Sequence, residues 1–224
     1  MPHALGAPGF ILGAVIEVAI PVWAERARAT TWHPSHIVER YGLFTIIVLG
    51  ESILASSLAI QAATDASGLT ASVTMIIVGG LLTVFSMWWF YFDWPVAYLE
   101  RSSRRAFAWG YVHYFVFAAA AAVGAGLAVA VDRATHQTAV GEIEAGAAVA
   151  VPVAIYLVVL WALHGGPRQR AAFTRYSVPA VAACILVTPF IGQAVLLMGV
   201  LSAGLLATKL TARHHPRLQH LVEA

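Results

Sequence analysis

The stretch LFTIIVLGESILASSLAI, residues 43–60, decides how this chain reads. Glu51 is the only charged residue between Leu43 and Ala63. The run is long enough to cross a bilayer, because a spanning helix needs about 20 mostly apolar residues. Glu51 therefore lies at membrane depth. A carboxylate is costly there unless it is paired, protonated or beside water, so an intramembrane acid is a functional hypothesis in its own right.

The composition around that segment agrees with it. The chain has 224 residues, 60% hydrophobic and 11% charged, with a mean hydropathy of +0.78. Soluble domains carry roughly 25% charged residues, so the deficit marks an integral membrane protein. A net charge of +2, with the basic residues scattered through loops, gives no surface for nucleic acid. The one cysteine, Cys184, excludes an internal disulfide and is expected to pack as a small apolar residue. The segment Phe10–Trp23 has no basic residues ahead of it, so it reads as a span and not as a cleaved signal peptide.

The predicted fold is an all-α, polytopic transmembrane bundle of about seven helices, forming one domain over residues 1–224. The expected spans are about 9–24, 38–62, 70–96, 106–131, 143–163, 172–189 and 192–209. Pro189 and Gly192 in TPFIG separate the last two, since proline cannot continue a helical ladder and glycine accepts turn geometry. Seven spans with the N-terminus outside and the C-terminus inside put every lysine and arginine except Arg133 on the inner side, as the positive-inside rule expects. Merging the last two spans would move Lys209, Arg213 and Arg217 outside. The inner loops then hold Glu100, Arg101, Arg104 and Arg105, read as a positive-inside anchor, and the tryptophans form an interfacial belt. No loop is long enough to hold a soluble domain.

The polar residues within the spans are the candidate site. Arg40 and Glu51 are eleven residues apart, so they share a helix face with a rise of about 16 Å between them. His36 extends that seam inward. Thr45, Gly50, Ser52 and Ser56 allow close helix approach and bonding across it, which predicts a central place for this helix. Glu17, in the first span, is at a depth similar to Glu51. Two such acids suit a proton relay or a cation site, whereas the plainer reading has each bonded to a neighbour and fixing packing. Asp93, in WWFYFDWP, and His113, in WGYVHYF, reach similar depth across a short loop and form a candidate titrating pair. His33, His36 and Glu39 have ligand-like spacing, but their setting reads better as an interfacial helix start capped by Ser35. The pattern calls for no metal, cofactor or catalytic residue. Lys209, the only lysine, falls at the inner end of the last helix. That position excludes a retinal linkage at mid-membrane.

Residues 33–55, HPSHIVERYGLFTIIVLGESILA, resemble the bacterial low temperature requirement A family. The resemblance rests on His36, Glu39, Arg40, Gly42, Leu43, Thr45-Ile46-Ile47 and Leu49-Gly50-Glu51-Ser52, and more loosely on the helix layout and the aromatic run ending at Asp93. Family members are usually longer, and this chain resembles their C-terminal portion. The resemblance implies a multi-pass protein of the bacterial inner membrane with a role in cold growth. It supplies no substrate and no catalytic residues.

The function expected from these residues is a proton or small-cation transporter or channel using Glu51, Glu17, Arg40, His36, Asp93 and His113. The alternative is a non-transporting sensor, scaffold or lipid-interacting component. A membrane enzyme has no spacing signature to support it. The expected partners are the lipid bilayer and a second copy or another membrane chain.

Overall fold

The computed structural model describes residues 6–27, 33–93, 103–164 and 172–214. Glu100 and Arg101 of the expected anchor lie outside them. Among the described residues the chain forms α1 (Gly6–Ala27), α2 (Pro34–Ser67), α3 (Ala71–Phe92), α4 (Ser103–Ala134), α5 (Glu142–Leu163), α6 (Ala172–Val187) and α7 (Ala194–His214). Six of these are long and apolar enough to cross a membrane, and α6 belongs to a shorter apolar helix, Arg175–Phe190.

Local chemistry sets the boundaries. Helix α2 opens with Pro34 at its first turn and His33 as N-cap, with no side-chain cap bond; proline is pre-set for that position and has no amide to satisfy. Ser35 instead bonds the His33 ring at 2.7 Å, which corrects the expected serine cap. The helix runs on to Ser67, past the expected end at 62, because no breaker intervenes before Gly68 at φ +76°. Thr70 caps α3 by accepting the Val73 amide at 3.2 Å. The TPFIG segment turns the chain as expected: a 3-10 turn at Thr188–Phe190 is followed by positive φ at Gly192 and Gln193.

Successive helices alternate in direction. One end of the bundle therefore gathers His33, Arg40, Asp93, Trp109, His164 and Lys209, and is called the basal end. The distal end gathers Gly68, Arg133, Glu142 and Gln193. The core lies where α4 packs on α5, with α3, α6 and α7 around them. Small residues bring these helices to backbone contact: a Cβ on Gly126 of α4 would overlap the Ala148 carbonyl of α5.

Helix α2 is peripheral, not central. Its stripe Gly42, Thr45, Leu49, Ser52 and Ala63 is buried, chiefly against α4, while Leu43, Ile47, Gly50, Glu51, Leu54 and Leu58 face outward. Its small residues still serve close contacts: Ser52 donates to the Ala120 carbonyl of α4 at 2.9 Å, and its backbone lies against Gly124 of α4. Helix α1 contributes nothing to the buried core, and Tyr111 of α4 reaches it by donating to the Val18 carbonyl at 2.6 Å. Cys184, expected inside, is exposed on α6.

Candidate functional site

Helices α3 and α7 run in the same direction and touch along their length. A Cβ on Gly79 would overlap the Val195 carbonyl, and one on Gly199 would overlap the Gly79 carbonyl. No side chain separates the two backbones there, so their register is fixed sterically. Gly79 meets Val195, and Asp93 meets Lys209, at the same interval along both helices. Gly79 thus sits between Val195 and Gly199 of α7. Thr83 and Ser86 of α3 and Ser202 of α7 are buried hydroxyl residues, and Thr83 Oγ1 donates to the Gly79 carbonyl of its own helix at 2.8 Å.

The seam ends at the basal side on an ion pair. Asp93 is the C-cap of α3, its amide bonding the Trp89 carbonyl at 2.9 Å. Its Oδ2 lies 2.8 Å from Nζ of Lys209, with side-chain exposures of 10% and 5%. The ammonium also stands 5.9 Å from the centre of the Phe90 ring, a cation–π distance. Charges so withdrawn from water persist because each is held by the other. Above the pair, Ser202 Oγ is buried with no hydrogen-bond partner among the described residues, and the same holds for Trp161 Nε1 on α5.

Two histidines are also buried at the basal end. His164 caps α5, and its Nδ1 donates to the Leu160 carbonyl at 2.7 Å. Burial holds its imidazole down at about 4, against that bond, with His113 and Lys209 adding a smaller downward push. His113 is buried, and its Nδ1 donates to the Trp109 carbonyl at 2.8 Å. It sits among aromatic rings, with Trp109, Tyr41, Tyr91 and Phe117 centred 3.8, 5.0, 5.9 and 5.8 Å away. The ion-pair partner of Asp93 is thus Lys209, which the sequence places only at the inner end of the last helix, and not the expected His113. The available signal is that Asp93 and Lys209 each end a long uncharged run at the same end of the bundle.

The remaining candidates are placed elsewhere. Glu51 and Glu17 are exposed on the outer surfaces of α2 and α1, and Arg40 is exposed at the basal end. His36 is exposed and faces Glu39 at 3.9 Å within its own helix. The buried chemistry of the bundle therefore gathers Asp93, Lys209, His164 and His113 at the basal end, with the acids of α1 and α2 standing outside it.

A carboxylate and an ammonium in contact and shielded from water can exchange charge by moving a proton. Protonating Asp93 would remove the negative charge that faces the Lys209 ammonium. Among curated proteins and among solved structures, none matches this chain. The family model described as bacterial low temperature requirement A protein (LtrA) matches residues 1–212, and the chain belongs to that family of multi-pass membrane proteins.

Proposed function

We propose that this LtrA-family protein moves protons, or a small cation in exchange for them, across the bacterial inner membrane, with the Asp93–Lys209 pair as the exchange point. The observation that carries this reading is the 2.8 Å contact between two side chains almost withdrawn from solvent. Ionisable residues inside a membrane bundle are rare, and paired ones characteristically mark ion pathways and proton relays. The buried hydroxyl residues Thr83, Ser86 and Ser202 add polar groups to the two helices that carry the pair. The basic residues favour a cytoplasmic basal end.

In this mechanism Asp93 takes a proton and its hold on Lys209 is released. The freed ammonium then needs another counter-charge or water, which opens the basal end of the seam. Loss of the proton restores the pair. Glu51 and Glu17 act from outside the bundle as membrane-facing carboxylates.

The test is proton flux into liposomes containing the purified protein, followed with an internal pH-sensitive dye under an imposed gradient. The expected result is flux above empty vesicles that is lost in Asp93→Asn. Flux equal in the variant and the wild type rejects the reading.

The second reading is a non-transporting component that acts through a partner chain. The outward-facing helix α1 and the exposed position of Glu51 favour it. A partner recovered in stoichiometric amount, together with no flux in vesicles, would select it.

A further inference from the structure

We propose a second site, independent of the ion pair: the distal crevice binds a phosphate-like oxyanion between Arg133 and the first turn of α7. The crevice has a volume of about 260 Å³ and opens among α3, α4, α5 and α7, with Ser72, Arg133, His136, Glu142, Gln193 and Val195 among its lining residues. Its electrostatics carry the argument. Arg133 Nε is shut off from solvent and bonds nothing among the described residues, and among those residues Arg133 makes no ion pair within 4.0 Å.

The neighbouring backbone adds to that positive charge. The first bond inside α7 runs from the Leu197 amide to the Gln193 carbonyl at 3.1 Å. The amides of Ala194, Val195 and Leu196 therefore have no acceptor in their own helix, and Val195 is buried in the crevice lining. Helix α5 also begins here, at Glu142. Each helix start carries roughly half a positive charge. An arginine beside two such ends is a like-charge arrangement, relieved in the lining only by the Glu142 carboxylate. Glu144, the other acid of the first turn of α5, is turned back onto Gly141 at that helix's own start. An oxyanion would accept from the guanidinium and from the α7 amides together, satisfying both sets of donors.

Such a group can come from a free anion or from the headgroup of an anionic lipid, and the test separates them. Purified full-length protein in a neutral detergent is titrated with sodium phosphate, with sodium chloride at matched ionic strength as reference. Thermal unfolding and calorimetry follow binding. A parallel titration adds phosphatidylglycerol to the micelles. The expected result is a saturable rise in the unfolding midpoint, an affinity at least tenfold weaker in Arg133→Gln, and an affinity severalfold tighter in Glu142→Gln. A response to phosphate identifies the free anion; a response to phosphatidylglycerol alone identifies the headgroup. Absence of saturable binding by either, or equal affinity in Arg133→Gln and wild type, overturns the site. If Arg133→Gln fails to fold, an affinity unchanged in Glu142→Gln overturns it instead. These outcomes do not depend on whether the protein conducts protons.

Discussion

Lys209 of α7 holds Asp93 of α3 at 2.8 Å, a few turns along from the contact in which Gly79 and Gly199 bring the same two helices backbone to backbone. Steric fit sets the register, and the charges meet because of it. The pair is thus a consequence of small residues placed a few turns away, and the stability of this end of the bundle should respond to both.

Removing one charge should be worse than removing both. Asp93→Asn or Lys209→Gln alone removes the opposite charge from a buried ion, and breaking a buried pair in this way typically costs about 3–5 kcal/mol. The double variant Asp93→Asn/Lys209→Gln leaves two neutral groups and should recover much of that loss. Unfolding midpoints of the four proteins in one detergent give the cycle, and additive losses would show that the charges do not interact.

Gly79→Ala should separate α3 from α7, since its Cβ would overlap a backbone carbonyl that cannot swing aside. Overpacking of this kind costs about 1–3 kcal/mol. Gly204→Ala is the control, because a Cβ there meets nothing within 4 Å. The expected result is a lowered midpoint for Gly79→Ala and an unchanged or raised one for Gly204→Ala.

His164 should make stability depend on pH. Its folded-state value near 4 lies below the ordinary 6.5. Between those values the unfolded chain binds more protons than the folded one, so stability falls as pH drops from about 6.5 toward 4. The limit is about 3 kcal/mol for a shift of that size. His164→Gln should flatten this part of the profile, and an identical slope in the variant would place the dependence on other groups.

Glu51→Gln should leave stability nearly unchanged, within about 0.5 kcal/mol, because the residue is exposed on the outer face of α2. Its expected effect is on flux. A variant with full wild-type flux would remove Glu51 from the pathway.

Much of the fold is legible in the sequence. Long uncharged runs mark the spans, and Pro189 with Gly192 marks the turn before α7, because hydropathy and backbone restriction act locally. The candidate site is less so. Glu51 stands out in LGES because it is a lone charge, yet periodicity alone cannot say which side of α2 meets protein. Ser52 faces α4, so the adjacent Glu51 is turned away. The contact of Asp93 with Lys209 is hidden for another reason. It depends on a parallel register fixed by Gly79 against Val195 and Gly199, between residues far apart in sequence. The burial of Lys209 likewise depends on where α3 ends.

The measurement that bears most directly on the exchange mechanism is proton flux through the neutral double variant Asp93→Asn/Lys209→Gln in liposomes, with folding confirmed by its unfolding midpoint. If the pair exchanges protons, the folded double variant conducts no more than empty vesicles. Wild-type flux through that folded variant would contradict the mechanism and leave the pair a purely structural contact.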